Sequence, residues 1–381
     1  MTKVLHISNY YPPYIGGIQV VAHDIVTALS SNKEYDQHVI CFNDAKKTIH
    51  ENVDGISVIR VGNKLKIASQ ALNFEYGSYL QNLFKEINPD IIHFHYPNPF
   101  VSHYLVEILK KYNYKGKLIV HYHADIIKQK ILKQFFVKQT KWLLDRANVI
   151  LATSPAYLKD TDFLPSYKEK VQVLPLCIGK ERTNITETQK KKAADIKNTY
   201  CGKNIVFFFG RHVKYKGLTY LIDADKYLDQ DKIQIIIAGQ GPLTDALKKQ
   251  SMAFSNIDFV GRLSEDDINS YLMACDIFAF PSITRNEAFG ISLAEAMYFG
   301  KPACTFTIPG SGVNWVCRNN KEGLEAPNQD SKAFGKNIMA LSNNKELYKR
   351  LSNGAKERCN QEFLRDTFDR RILNIYQKLF D

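Results

Sequence analysis

Short apolar runs of strand length alternate with helical patterns along most of this 381-residue sequence. In the first half these runs are rich in Val and Ile and are bounded by polar or turn residues, as buried strands are. They occupy residues 4–8, 37–42, 56–61, 91–95, 117–122 and 149–154. Helical periodicity lies between them at residues 19–29, 76–87 and 101–112. Strands that alternate with helices predict a parallel sheet inside an α/β domain.

The same alternation starts again after a polar, lysine-rich stretch that begins at Gly179. The second series of apolar runs lies at residues 204–210, 233–239, 256–260, 277–280 and 301–305. A chain of this length is long enough for two domains. The sequence therefore predicts an N-terminal Rossmann-like domain at residues 1–178 and a C-terminal one at residues 179–362.

The composition limits the partners that such a protein is expected to have. A formal net charge of +12 suits phosphorylated ligands, nucleic acid or an anionic membrane surface. The basic residues are spread without an RNA- or DNA-binding motif, so nucleic acid is not an expected partner. Seven scattered cysteines without a C-x-x-C pair indicate reduced thiols and a cytoplasmic compartment. The sequence opens directly into a strand and has no apolar run near ~20 residues, so membrane contact is expected to be peripheral.

One strand, turn and helix in the second half form a candidate anion site. The strand at residues 277–280 leads to a turn at Gly290 and to a helix predicted to start near Ile291. Backbone N–H groups and the dipole at such a helix start bind phosphate. Glu287 precedes the helix and Glu295 lies about one turn inside it. Two carboxylates would repel a phosphate but accept hydrogen bonds from ribose and sugar hydroxyls, which indicates a sugar nucleotide.

The alternative interpretation of this segment is a surface helix whose glutamates stabilise its first turns. A basic loop elsewhere favours the functional interpretation. Residues 210–217 follow an apolar strand and include Arg211 and Lys216. Cations at the carboxyl end of a strand in an open α/β sheet are well placed to stabilise a departing diphosphate. A solvated basic loop is the simpler alternative in a chain this rich in lysine.

Alternating histidines in the first half support a rival hypothesis. His93 and His95 lie on one predicted strand, and His121 and His123 lie at the end of another. Because side chains alternate along a strand, each pair points to one face, where imidazoles can bind zinc. The four histidines thus suggest a metal-dependent hydrolase or epimerase. The sequence lacks an H-E-x-x-H pattern, and histidines at strand ends are more often hydrogen-bonded core or cleft residues.

A basic segment at residues 126–146 follows these histidines directly. Bulky apolar residues, including Phe135, Phe136 and Trp142, are interleaved with five lysines. The lysines are Lys128, Lys130, Lys133, Lys138 and Lys141. A helix of this composition either lies on an anionic membrane surface or packs on its own sheet with its lysine stems covering apolar surface.

The spacing of Glu287 and Glu295, with Phe289-Gly290 between them, resembles the signature of retaining glycosyltransferases of family 4. That family has the GT-B fold, two Rossmann-like domains that face an interdomain cleft, and the resemblance is to its bacterial surface-polysaccharide members. It implies a hexosyltransferase that uses a UDP- or GDP-hexose and transfers the sugar to an acceptor hydroxyl with retention. It also implies a lipid-linked saccharide acceptor at the inner membrane face, and a C-terminal helix at residues 363–381 that crosses back to the N-terminal domain.

The same resemblance implies roles for individual residues. Glu287 meets the donor sugar, Glu295 the ribose, and His123, or alternatively His121, reaches the donor sugar from the N-terminal domain. Because Arg211, Lys216 and the helix start would neutralise the diphosphate, no metal or other cofactor is expected. The predicted catalytic residues are His123, Arg211, Lys216 and Glu287. The donor-binding residues are Gly16, Gly17, Arg211, Lys216, Arg262, Leu263, Glu287, Ala288, Phe289, Gly290, Ile291 and Glu295.

Overall fold

A computed structural model describes residues 1–13, 17–63, 65–67, 70–123 and 130–381. These residues form two compact units. The first contains Met1–Leu174 together with Asp369–Asp381, and the second contains Pro175–Phe368. Both are α/β units built around largely parallel sheets, which confirms the fold class predicted from the alternation of strands and helices.

Eight of the described strands form the main sheet of the first unit, in the order β10-β9-β8-β7-β1-β2-β4-β3. The strands of this unit are β1 Thr2–Ile7, β2 Tyr35–Phe42, β3 Ile49–Val53, β4 Ile56–Val61, β5 Leu65–Ile67, β6 Gln70–Leu72, β7 Ile91–Tyr96, β8 Lys117–Tyr122, β9 Val149–Ala152 and β10 Val171–Val173. Neighbours in the sheet are parallel except β3 and β4, and β5 pairs only with β6. The sequence did not predict β3, because this edge strand is half-exposed and has no apolar run.

The helices of the first unit connect its strands in the way that a parallel sheet requires. They are α1 Gly17–Ser30, α2 Tyr76–Ile87, α3 Pro99–Lys111, α4 Lys130–Arg146 and α5 Tyr157–Asp160. The start of α3 shows how the local sequence fixes a helix boundary. The Asn98 side chain accepts a hydrogen bond from Val101 N at 3.1 Å, and Pro99 occupies the first turn, where its missing N–H costs nothing.

Six described strands form the sheet of the second unit, in the order β13-β12-β11-β14-β15-β16. They are β11 Asn204–Phe209, β12 Ile233–Ala238, β13 Ile257–Gly261, β14 Ile277–Phe280, β15 Ala303–Phe306 and β16 Gly323–Ala326, and each pair of neighbours is parallel. The helices are α6 Lys180–Thr183, α7 Glu187–Thr199, α8 Leu218–Ala224, α9 Thr244–Ser251, α10 Glu265–Ala274, α11 Ile291–Tyr298, α12 Val313–Val316, α13 Ser331–Asn343 and α14 Lys345–Glu362.

Each sheet has a point where the strand order reverses. In the second unit β11 lies between β12 and β14, and in the first unit β1 lies between β2 and β7. At such a point the connections that follow two neighbouring strands run in opposite directions. A crevice therefore opens at the carboxyl ends of these strands. The strands around both points are largely buried and mostly apolar, and they fix the positions of the loops that follow them.

The chain ends in α15, Arg365–Gln377, which is separate from α14. From Asp369 onward this segment belongs to the first unit. Tyr376 is buried there, and its hydroxyl hydrogen bonds with Nδ1 of His93 at 2.7 Å. None of the described helices is both long and apolar enough to cross a membrane.

Candidate active site

Lys216 is a buried cation of the second unit and lies in the loop that follows β11. A 3₁₀ turn, Lys214–Lys216, buries its side chain, and Nζ lies 5.0 Å from the centre of the Phe280 ring at the end of β14. The next residue, Gly217, has a φ of +63°, and a Cβ there would lie 2.0 Å from the carbonyl oxygen of Pro281. Only glycine fits, so the loop after β11 is held tightly against the end of β14.

Glu287 lies in the loop after β14 and forms an ion pair with Lys216. The carboxylate oxygen Oε2 that takes Lys216 Nζ also accepts a hydrogen bond from Ser282 Oγ at 3.2 Å. The hydroxyl of Ser311 donates to the backbone carbonyl of Glu287. These contacts fix both the backbone and the carboxylate, so the structure brings together Lys216 and Glu287, two of the predicted catalytic residues.

The predicted turn and helix start beside Glu287 are confirmed. Gly290 has a φ of +87°, and α11 begins at Ile291. The Gly290 carbonyl accepts from Leu293 N at 2.9 Å and from Ala294 N at 3.3 Å. No described group accepts a hydrogen bond from the amides of Ile291 and Ser292. Two amides of this kind at a positive helix end are suited to an anionic oxygen.

Arg211 differs from Lys216 although both belong to the same loop. Its side chain is exposed and makes no ion pair with any residue in the described ranges. Its neighbour His212 is buried and hydrogen bonds through Nδ1 with Thr244 Oγ1 at 3.0 Å. The loop is therefore anchored next to Arg211, while the guanidinium itself is available to a ligand.

Glu295 faces an arginine that the sequence analysis did not single out. Arg182, in the short helix α6, donates from Nε to Glu295 Oε1 at 2.9 Å. The arginine and the glutamate are 3% and 6% exposed. Burial raises the pKa of Glu295 to about 7, although the charge of Arg182 acts in the opposite direction. Arg182 lies in a polar, lysine-rich stretch, where an arginine ordinarily points into solvent, so no local pattern indicated this contact.

The remaining predicted donor-binding residues of the second unit have distinct surroundings. Phe289 is buried in contact with Trp315 and Phe363, so its side chain belongs to the core, and only its backbone can meet a ligand. Ala288 is half-buried beside it. Arg262 is exposed and Leu263 half-buried in the turn after β13.

Ser264 ends that turn and caps α10. Its Oγ accepts a hydrogen bond from Asp267 N at 3.1 Å. No described contact joins Arg262 or Leu263 to Lys216 or Glu287. The grouping of these residues with the ion pair therefore stays a prediction.

Four histidines meet on one face of the first sheet. His93 and His95 on β7 stack with ring centroids 4.7 Å apart, and His121 on β8 stacks on His123 at 4.1 Å. His95 Nδ1 and His123 Nε2 share a hydrogen bond of 3.0 Å, which links the two strand ends. Burial lowers the pKa of all four side chains, that of His123 to about 3, so the cluster is neutral near pH 7.

Ligand nitrogens of His93, His95 and His121 lie within 4.8 Å of one another, as the hydrolase hypothesis requires. The rings of His93 and His95 are 8° from parallel. Because the lone pairs of an imidazole lie in the ring plane, parallel stacked rings direct them side by side. A tetrahedral zinc site needs lone pairs that converge on one ion. The cluster as it stands is therefore a stack of neutral rings rather than an arranged metal site.

Gly16 and Gly17 are the two predicted donor-binding glycines of the first unit. Gly17 is the first residue of α1, whereas Gly16 lies outside the described residues. The side chain of Arg60, buried in the sheet, donates to the carbonyl oxygens of Tyr11 at 2.7 Å and of Pro12. These hydrogen bonds from a buried guanidinium fix the backbone at Tyr11 and Pro12.

The lysine-rich segment forms α4 from Lys130 onward. Lys138 and Lys141 are exposed, as a membrane-facing surface requires. Phe136 contacts the ring of Phe100, and Trp142 lies beneath the ammonium group of Lys110, so both aromatic residues also pack within the unit. Lys128 and the side chains of Lys130, Lys133 and Phe135 fall outside the described part of the chain.

Comparisons with known proteins decide the family. Residues 15–182 match the model described as Glycosyltransferase Family 4, and residues 189–358 match the one described as Glycosyl transferases group 1. The chain belongs to the group 1 and family 4 glycosyltransferases. The family predicted from the Glu287 and Glu295 spacing is thus confirmed. Neither matched model describes a hydrolase, so the rival hypothesis gains no support from them.

Curated relatives resemble this glycosyltransferase over nearly its whole length. The O-antigen chain mannosyltransferase C of Escherichia coli is 28% identical over 100% of this chain and 99% of its own. The D-rhamnosyltransferase WbpZ of Pseudomonas aeruginosa is 29% identical over 95% of this chain and 92% of its own. Among solved structures, the Anabaena protein HepE in complex with UDP-glucose has a TM-score of 0.77 at 16% identity, covering 99% of this chain and 100% of its own. The likeness to such structures confirms the GT-B fold.

Proposed function

We propose that this glycosyltransferase moves a hexose from a UDP- or GDP-hexose to an acceptor hydroxyl with retention at the anomeric carbon. The observation that carries the proposal is the Lys216–Glu287 ion pair beside the start of α11. It lies where the strand order of the second sheet reverses, at the carboxyl ends of β11 and β14. A cation, two helix amides and a fixed carboxylate together suit a diphosphate joined to a sugar.

The leaving diphosphate would be stabilised by positive groups that are in place before the reaction. Lys216 is fixed by its partners, Arg211 is exposed and available, and the start of α11 offers the amides of Ile291 and Ser292. Charge arranged in advance lowers the barrier without reorganisation at the moment of reaction. We therefore propose that transfer needs no divalent metal.

The carboxylates and histidines would hold the rest of the donor. Glu287 is assigned to hydroxyls of the donor sugar and Glu295 to those of the ribose. Between the two candidate histidines, His123 is the better choice because 6% of its surface is exposed, whereas His121 is fully buried. The hydrogen bond that it shares with His95 fixes the orientation of the His123 ring.

The relatives suggest where the sugar goes. One is named for the O-antigen chain and another as a rhamnosyltransferase, and HepE was solved with UDP-glucose. We propose that this enzyme contributes to a bacterial cell-surface polysaccharide and adds its hexose to a lipid-linked saccharide. Such an acceptor places the enzyme in the cytoplasm, at the inner face of the membrane, where the exposed lysines of α4 meet anionic lipid.

Thermal unfolding in the presence of UDP- and GDP-hexoses tests this function. A ligand present at 100 times its Kd stabilises the folded protein by about 2.7 kcal/mol, which gives a clear rise in Tm. The free hexose serves as the control and is expected to leave Tm unchanged, because it lacks the diphosphate. Product analysis by NMR with the stabilising donor then reports the anomeric configuration. The absence of a Tm rise with every nucleotide sugar tested would refute the proposal.

A further inference from the structure

Arg182 makes more contacts in the second unit than its place in a polar stretch suggests. Besides Nε to Glu295 Oε1, its Nη2 donates to Glu265 Oε2 at 2.5 Å and its Nη1 to Asn269 Oδ1 at 3.2 Å. Glu265 and Asn269 both lie on α10, while Glu295 lies on α11. The guanidinium therefore joins the first turns of α10 to the middle of α11.

Within the described residues, only one carboxylate oxygen of Glu295 has a hydrogen-bond partner. Oε1 is taken by Arg182, and no described residue donates to Oε2. A carboxylate buried to this extent loses its hydration, so it needs a counter-charge to stay ionised. Arg182 supplies that charge from one side and leaves the second oxygen for a ligand hydroxyl.

We propose that Arg182 is a positioning residue for nucleotide recognition, which orients Glu295 and provides its counter-charge so that Oε2 accepts hydrogen bonds from the ribose hydroxyls. The inference rests on the assignment of Glu295 to the ribose under the proposed function. In this role Arg182 acts through Glu295 and sets the preference for a ribonucleotide over a deoxynucleotide.

Calorimetric titration with UDP and GDP, each paired with its 2′,3′-dideoxy counterpart, tests the inference. We expect the wild-type enzyme to bind its ribonucleotide roughly 10- to 100-fold more tightly than the dideoxy form, the loss typical of hydrogen bonds to a charged group. Arg182→Met should weaken binding of the ribonucleotide and leave the dideoxynucleotide nearly unaffected, so the ratio falls toward one. Arg182→Lys should retain part of the preference, because the charge is kept but the fork of donors is lost.

The pH dependence adds a readout that a merely structural role would not change. The pKa of Glu295 is about 7, and Arg182 acts to lower it. Ribose recognition requires the ionised form and is therefore lost as the pH falls through this pKa. In Arg182→Met the pKa of Glu295 rises further, so the loss of ribonucleotide affinity should begin at a higher pH than in the wild type.

Arg318→Met is the matched control, because Arg318 also pairs with a buried carboxylate of the second unit. Its Nε lies 3.1 Å from both carboxylate oxygens of Glu322, which is 1% exposed. This variant should keep the ribose preference. In a Glu295→Gln background, Arg182→Met should have no further effect on the preference, since Arg182 acts through that carboxylate. Should Arg182→Met alone fail to fold, Arg182→Lys and this double variant carry the test.

Three results would contradict the inference. Equal weakening of ribonucleotide and dideoxynucleotide binding by Arg182→Met would show a structural role only. An unchanged preference in both Arg182 variants would show that Arg182 does not position Glu295. A further loss of the preference in the Glu295→Gln background would show that Arg182 acts by another route. Failure of the wild type to bind either nucleotide would instead refute the proposed function, which keeps the two tests distinct.

Discussion

Lys216 and Glu287 form an ion pair across 71 positions of the sequence, between the loops that follow the neighbouring strands β11 and β14. Their side chains are only 11% and 13% exposed. Removing one member of a pair so well shielded from water leaves the other charge buried without its partner. Both residues thus support the local fold in addition to their proposed chemical roles, and variants must separate the two contributions.

Glu287→Gln should lower the rate of sugar transfer by roughly 10²–10³-fold, which is the typical effect of losing one preorganised electrostatic contact. Glutamine keeps the size of the side chain and still accepts a hydrogen bond from Lys216 and Ser282, so the variant should fold. Steady-state rates with the stabilising donor, together with thermal unfolding, measure the two effects. The matched control is Glu346→Gln, an exposed glutamate on α14, which should behave as the wild type does. Normal turnover in Glu287→Gln would remove the proposed role of this carboxylate.

Arg211→Ala should lower kcat by roughly 10²–10³-fold while changing the free energy of unfolding by no more than about 0.5 kcal/mol, as is usual for exposed residues. Lys216→Ala should lower both kcat and stability, because it leaves Glu287 without its counter-charge. Arg211→Lys should recover only part of the rate, since lysine lacks the planar fork of donors. Lys214→Ala, in the same loop and exposed, is the control. Equal kcat values for Arg211→Ala and Lys214→Ala would contradict the role of Arg211.

EDTA should leave the rate of transfer unchanged if Arg211, Lys216 and the start of α11 stabilise the diphosphate by themselves. The measurement compares initial rates with and without the chelator, followed by addition of excess Mg²⁺ or Mn²⁺. A known metal-dependent glycosyltransferase assayed in parallel shows that the chelation is complete. Activity that disappears with EDTA and returns with added metal would refute the metal-free mechanism.

Acid should destabilise the first unit through its buried histidines. Their pKa values are lowered from 6.5, so the folded protein favours the neutral form. The neutral histidines therefore leave the folded protein fully stable above about pH 6.5. That stability is lost as the pH falls from there toward their lowered pKa values. His6, whose pKa is about 4, faces His93 on the same sheet and acts in the same direction. Unfolding should therefore become easier between pH 6.5 and 4.

His121→Leu should reduce this acid sensitivity. No described residue hydrogen bonds with either ring nitrogen of His121, so the substitution removes one titrating group without breaking a bond. With one proton fewer taken up on unfolding, the free energy of unfolding changes with pH less steeply, by at most about 1.4 kcal/mol per pH unit. Between pH 6.5 and 5 the difference amounts to at most about 2 kcal/mol. Chemical denaturation at several pH values measures this, and His103→Leu, an exposed histidine on α3, is the control. An unchanged slope in His121→Leu would show that the acid sensitivity does not come from this histidine.

The five lysines after His123 are expected to attach the enzyme to anionic lipid. Substituting Lys128, Lys130, Lys133, Lys138 and Lys141 by Gln should weaken binding to anionic vesicles, since each lysine contributes up to about 1 kcal/mol near such a surface. Turnover on a short soluble acceptor should stay nearly normal. Sedimentation with phosphatidylglycerol vesicles, with phosphatidylcholine vesicles as the neutral comparison, measures the effect. Lys332→Gln with Lys336→Gln, two exposed lysines on α13, controls for net charge, and undiminished binding of the five-fold variant would refute the membrane surface.

Local patterns predicted the elements of the fold well, because the information lay in neighbouring residues. The apolar run of β14 and the start of α11 at Ile291 both follow from spacing and residue type. The edge strand β3 was missed since its half-exposed side chains show no apolar run. Strand propensity is too dependent on context to identify it otherwise.

Contacts between distant residues were beyond the sequence. Arg182 and Glu295 lie 113 positions apart, and their contact depends on how α6, α10 and α11 pack. The stacking of four histidines likewise depends on β7 and β8 being neighbours with His95 opposite His121. Period-two spacing predicted that each pair shares a face of its strand, but the order of strands decides which faces meet.

The first unit is built from two segments, Met1–Leu174 and Asp369–Asp381, which are synthesised at very different times. His93 leaves the ribosome 283 residues before Tyr376, its hydrogen-bond partner, which corresponds to roughly 15–60 s at ~5–20 residues per second. The second unit is continuous in sequence, so all of its residues are available while the first unit still lacks its last segment. The half of the chain that is made first is therefore the half that is completed last.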